Sequence, residues 1–237
     1  MMKRILTATL VAGLFLSLPA LALRPLVTDD APVLGPGFFQ WEFGVLNYSE
    51  NSVDTRNVSN VVTYGWLPRT NLVAEFPYLT VRGSAQTLSG MGDIILKAKH
   101  NLMDPENNPV GFSVSLGNNF SNGDQAKGFG DGKNNLFAHA ILTKPLPFGA
   151  AHANLGYTFT DALANFGAAL EANLPSDAKF LSEIAGERDQ TGSGPVNLLL
   201  GLNKLLNSQI TMDGGLHFGL TDSGPKQMYT FGLTALM

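Results

Sequence analysis

The 237-residue sequence contains no cysteine. That excludes disulfides and thiolate metal sites, and it suits a chain that must cross an oxidising compartment before folding. Charge is scarce: only 14% of residues are Asp, Glu, Lys or Arg. Setting Lys3 and Arg4 aside from the 15 basic residues leaves 13 against 19 acidic ones, a net charge of −6, which excludes nucleic acid as a partner. Long apolar runs are missing too. Beyond Ile5–Leu18 no segment approaches the roughly 18 uncharged residues of a membrane-spanning helix. Histidines number four, His100, His139, His152 and His217, and no two share a strand face at metal-ligand spacing, so neither a metal nor another cofactor is expected. None has a serine two residues on, and the only one on an outward face is His100, which disfavours a membrane-boundary lipase; the sequence reads as a non-enzyme.

What is present begins with an export signal. Lys3 and Arg4 precede the apolar stretch Ile5–Leu18, and Ala20-Leu21-Ala22 is a small-x-small cleavage pattern, so residues 1–22 read as a removed secretory signal peptide. Residues 23–37 (LRPLVTDDAPVLGPG) hold three prolines and two glycines without a period. They read as a periplasmic lead-in able to tuck into a lumen. Within it Thr28-Asp29-Asp30 suits a turn or cap, with a cation site at the two aspartates as the sharper alternative.

From residue 38 to 237 the chain alternates apolar with small or polar residues, the period of a strand. The pattern predicts strands over Phe38–Tyr48, Asn57–Leu67, Asn71–Val81, Asp93–Leu102, Val110–Phe120, Asn134–Lys144, Ala150–Thr160, Asn165–Leu174, Lys179–Glu187 and Val196–Leu205. A closing hairpin, Gln209–Met237, supplies two more. Its final strand reaches the last residue, as a barrel pairing last strand with first would have it; an edge strand of a secreted sandwich is the plainer alternative. About twelve strands of this length fit an all-β, closed antiparallel transmembrane barrel in the bacterial outer membrane. The breaks sort accordingly. Short periplasmic turns fall at Pro68-Arg69, Asp104–Pro109, Pro145–Gly149, Pro175–Ala178 and Asn207-Ser208. Longer extracellular loops fall at Ser49–Arg56, Gly83–Gly92, Ser121–Lys133, Arg188–Pro195 and Thr221–Lys226. Trp41, Tyr64, Trp66, Tyr78, Tyr157 and Tyr229 would supply interfacial girdles. The partners implied are outer-membrane lipid, the barrel-insertion machinery and a small-molecule solute.

The same alternation turns Glu42, Glu75, Lys97, His139, Glu183 and Asp213 inward, four to six residues from the periplasmic strand ends. They are the candidates for a lumen constriction, where charged side chains select permeants, with Glu75–Lys97 the expected ion pair. The plainer alternative is a salt-bridge network packing a narrow lumen. Arg24, Arg56, Arg69, Arg82 and Arg188 all fall at strand ends or in loops, so the lumen is expected to lack arginine and to suit neutral, hydrophobic or cationic solutes over acidic sugars.

Five segments in order, RPLVTDD, GMGDIILKAKH, SNGDQAKGFGDGK, SEIAGE and ITMDGGLHFGLTDSGP, resemble the bacterial outer-membrane barrels known as MetA-pathway of phenol degradation proteins, often called transporters. The resemblance spans nearly all of residues 23–237. The chain departs from it at Phe120-Ser121-Asn122-Gly123-Asp124, where a Pro-Thr-Gly-Asp type of sequence is more usual, and at Met237, where an aromatic residue is more usual. It implies a passive outer-membrane channel for small solutes, aromatic or hydrophobic ones included. A structural or adhesive barrel with a packed lumen and no transport stays open beside it.

Overall fold

The computed structural model describes residues 24–237; the expected signal peptide and Leu23 lie outside the described residues. The strands are β1 (Phe39–Glu50), β2 (Val53–Leu67), β3 (Thr70–Arg82), β4 (Thr87–Met91), β5 (Ile94–Met103), β6 (Gly111–Phe120), β7 (Asn135–Leu146), β8 (Gly149–Thr158), β9 (Leu163–Leu174), β10 (Ala178–Arg188), β11 (Val196–Leu205), β12 (Ile210–Gly219) and β13 (Gln227–Leu236). Each pairs antiparallel with its neighbours. β4 and β5 run against the two halves of β3, with Tyr78–Arg82 facing β4 and Thr70–Glu75 facing β5. They are one stave broken at Gly92-Asp93, so the wall has twelve staves. β1 pairs with β13 from Gln40↔Leu236 to Tyr48↔Met228, which closes the ring and leaves no free edge. The amides of Phe39 and Met237 exchange hydrogen bonds at 2.9 and 2.7 Å, carrying the seam to the last residue.

The wall is inside-out relative to a soluble sandwich. Side chains on the convex face are apolar and bare: Leu155 is 66% exposed, Tyr229 59%, Leu116 and Leu202 each 56%. On the concave face polar groups are buried, among them Glu183, Asp213, Lys99, Asn101, Thr211 and Thr234. Water penalises the first pattern and hydrocarbon rewards it. Trp41, Trp66, Tyr78, Tyr157 and Tyr229 are exposed as expected of girdles, and Tyr64 stacks on Phe39 at 4.4 Å. Among the described residues no helix is long and apolar enough to cross a membrane; the crossing elements are strands.

Two expected loops are strand instead. Ser49–Arg56 is a tight hairpin: Asn51 and Ser52 turn the chain at φ 50° and 63°, and β2 starts at Val53. Gly83–Gly92 contains β4. Both stretches are polar on each face, so they lack the apolar alternation that marks the rest. The longest connection is the expected one after Phe120. It folds back over the wall: the Asp93 carboxylate accepts the amides of Gly123 at 2.8 Å and Asp131 at 2.9 Å. Phe129, 2% exposed, lies against Gly90, where a Cβ would meet its ring at 2.7 Å.

Candidate functional site

Residues 24–37 form a strap along the inner wall. It enters beside β2, where the Gly37 amide donates to the Gly65 carbonyl at 2.8 Å. Gly65 has to be glycine here, because a Cβ would sit 2.0 Å from the Gly35 carbonyl oxygen. At Ala31 the strap is held by side chains of three staves. Its amide donates to Thr143 Oγ1 at 2.8 Å, and its carbonyl accepts from Asn101 Nδ2 at 3.0 Å and from Ser113 Oγ. Further on, both carboxylate oxygens of Glu183 receive strap amides, Val27 at 3.1 Å and Thr28 more closely. At Arg24, the first described residue, the guanidinium Nε lies 3.5 Å from Asp213 Oδ2 in the cleft that Gly44 and Gly232 leave open. A buried backbone needs a partner for each polar group, and here the wall's side chains supply them.

Asp29 and Asp30 are the strap's charged anchor. Lys99 Nζ donates to Asp29 at 2.8 Å and to Asp30 at 3.2 Å, and Lys97 Nζ donates to Asp29 at 3.2 Å. Burial works to raise the Asp29 carboxyl, but the two ammonium groups outweigh it and hold it well below the usual carboxylate range. At Asp30 burial prevails over Lys99 and the carboxyl is raised. The aspartates therefore form ion pairs with lysine rather than a turn cap or an open cation site.

The strap does not fill the lumen. Between it and the wall of β1, β2, β3, β5 and β7 lies a cavity of about 460 Å³. Of the six expected constriction residues, Glu42, Glu75, Lys97 and His139 line it. Glu42 accepts from Gln40 Nε2 at 3.0 Å, and His139 stacks on Phe137 at 5.1 Å. The other two are elsewhere, Glu183 under the strap and Asp213 against Arg24. The expected Glu75–Lys97 pair is not formed, because Asp29 takes the lysine; among the described residues no ion pair or hydrogen bond reaches the Glu75 carboxylate. Nor does the lumen lack arginine, since the strap carries Arg24 into it. A further lining residue is Asn71 of β3, 4% exposed, whose Oδ1 has no hydrogen-bond partner. Its inward parity with Glu75 was the available signal.

A closed ring of strands with a bare apolar belt and a polar interior is the decisive feature. The fold is that of a bacterial outer-membrane barrel. Its apolar belt places it in the outer membrane. The structure of the COG4313 outer membrane channel from Pseudomonas putida F1 superposes at a TM-score of 0.65 with 13% identity, covering 90% of this chain and all of that one. The KdgM porin superposes at 0.59 with 7% identity, covering 84% of this chain and 98% of that one. Identities this low speak for the fold alone. No protein-family model matches the chain, and no curated protein matches its sequence.

Proposed function

We propose that this barrel passes small solutes passively across the outer membrane, through the space the strap leaves against β1, β2, β3, β5 and β7. The observation that carries the reading is that space. It is lined by ionisable groups of both signs, Glu42, Glu75, Lys97 and Arg24, beside the apolar side chains of Val61, Ile95 and Phe137. Charged groups at a narrow point select among permeants, and apolar walls admit an aromatic or aliphatic body. The channels and porins of like fold support the reading, as does the resemblance to the MetA-pathway of phenol degradation barrels, of which we propose this chain is a distant member. No covalent chemistry is assigned to the lumen.

The test is single-channel conductance of the refolded protein in a planar bilayer under a salt gradient. The expected result is small discrete steps with cation preference, and Glu75→Lys reduces or reverses that preference. Unchanged selectivity in Glu75→Lys removes Glu75 from the constriction. A second reading, a structural barrel, is favoured by the strap and Phe129 entering the lumen. Silence from the folded protein, persisting after Lys99→Gln loosens the strap, would establish it.

A further inference from the structure

The cavity beside the strap has a surplus of hydrogen-bond acceptors. Its three cations are already in ion pairs, Lys97 with Asp29 at 3.2 Å, Lys99 with Asp29 at 2.8 Å and Arg24 with Asp213 at 3.5 Å. Its acceptors are not. Among the described residues nothing donates to the Glu75 carboxylate, which lines the cavity. Glu42 receives one donor, Gln40, on one oxygen. Glu42 and Glu75 stand on one cross-strand row, Glu42↔Val61↔Glu75, two staves apart, so their backbones are roughly 10 Å apart and their side chains converge over Val61. Both carboxylates are half-exposed toward the cavity, so a donor placed there can reach them. The lining mixes polar side chains such as Ser59, Thr63 and His139 with an apolar patch of Val61, Val73, Ile95 and Phe137. At about 460 Å³ the cavity falls in the range that holds small organic molecules.

The geometry points to a binding compartment for a small organic cation: an ammonium or amidinium head donating to Glu42 and Glu75, with an apolar or aromatic body against Val61, Ile95 and Phe137. This rests on the passive-channel reading and names its substrate class. An anion would meet two carboxylates; a neutral hydrophobe would leave both without a donor.

Binding is measured by calorimetry on the refolded full-length protein in zwitterionic micelles at pH 8, with benzylammonium, benzyl alcohol and benzoate titrated separately and protein-free micelles as the blank. Benzylammonium is expected to bind at least about tenfold more tightly than benzyl alcohol, as one charge-assisted contact implies, and benzoate not measurably. Glu75→Gln and Glu42→Gln each weaken benzylammonium about tenfold and leave benzyl alcohol unchanged, which guards against a loss caused by misfolding. Glu50→Gln, on the exposed β1–β2 hairpin, changes nothing. Equal affinity for benzylammonium and benzyl alcohol overturns the inference, as does unchanged affinity in folded Glu75→Gln. Conductance separates this from the channel reading. A conducting protein that does not select benzylammonium sinks the ligand class and leaves the channel; a silent one that selects it sinks the channel and leaves the compartment.

Discussion

Replacing Lys99 with Gln isolates what its charge does for the strap. Lys99 is 5% exposed and divides its ammonium between Asp29 at 2.8 Å and Asp30 at 3.2 Å. Glutamine keeps much of the side chain's bulk but leaves Asp30 without a cation in ion-pair range and Asp29 with Lys97 alone. Removing one partner of a buried pair costs about 3–5 kcal/mol, because the other charge is left stranded. Asp29 keeps Lys97, so the lower end applies. About 3 kcal/mol is roughly a hundredfold more strap in the released state. Hydrogen exchange read by mass spectrometry on residues 24–37 reports this directly. The amides of Thr28 and Ala31, which donate to Glu183 and Thr143, should exchange about a hundredfold faster, while those of β10 to β13 keep their protection. The triple variant Lys99→Gln, Asp29→Asn, Asp30→Asn removes the stranded charges and should recover most of the loss. Unchanged strap protection in Lys99→Gln refutes the anchor. So does an equal loss across the whole barrel, which would make Lys99 a support of the wall instead.

Three further outcomes are expected. Asp93→Ala removes the acceptor of the Gly123 and Asp131 amides, each bond worth roughly 1.5–3 kcal/mol, so tryptic cleavage after Lys127 or Lys133 should speed up at least about tenfold; an unchanged rate means that Asp93 does not hold the loop. Leu116→Arg puts a cation on the bare apolar belt and should cost about 2–4 kcal/mol in urea unfolding from lipid vesicles; no cost would show that this face does not meet hydrocarbon. For pH, the two aspartates predict the same outcome. Asp29 is depressed, so its contribution to seating is present above its unfolded pKa and is lost only as the pH falls through its lower seated value. Asp30 is raised, so it binds a proton more readily when seated and favours the strap as the pH falls. Pulse-labelled exchange should therefore show no loosening of residues 24–37 between pH 7 and about 4.5, and a strap released at pH 5 would contradict the assignment.

The strands were legible because their signal is local. Val196–Leu205 matches β11 to the residue, and the closing hairpin holds β12 and β13. Parity along each strand also fixed which charges face inward, and Glu42, Glu75, Lys97 and His139 do share one cavity. Partnership was not legible, because the strap decides it and residues 24–37 have no period to read. Lys97 is close in register to Glu75, yet Asp29 takes it from a segment more than sixty positions away. Arg24 reads as a terminus residue and lies in the lumen for the same reason. The misplaced loops have the opposite cause. Asn51-Ser52 is a hairpin turn flanked by the polar strand ends Ser49-Glu50 and Asp54–Arg56, and apolar alternation cannot report a strand end that lacks it.

The strap and the wall also explain each other's composition. Twelve staves enclose more room than eight, whose side chains fill the interior by themselves, so polar groups on this inner wall need partners that the wall cannot supply alone. Asn101, Thr143 and Glu183 find them in the strap's backbone. The strap in turn has to satisfy its own amides away from water, and Pro25, Pro32 and Pro36 have none to satisfy. Three prolines in fourteen residues thus lower the cost of running an irregular segment through a barrel. Strap and wall exchange hydrogen bonds along β5, β6, β7 and β10. Among the described residues none joins the strap to β3, where Glu75 lines the cavity with no donor from the strap. The unmatched stretch is where a solute gains most by supplying the missing donors, so selectivity in this barrel should follow β3 and the neighbouring Glu42 more than the heavily charged strap anchor.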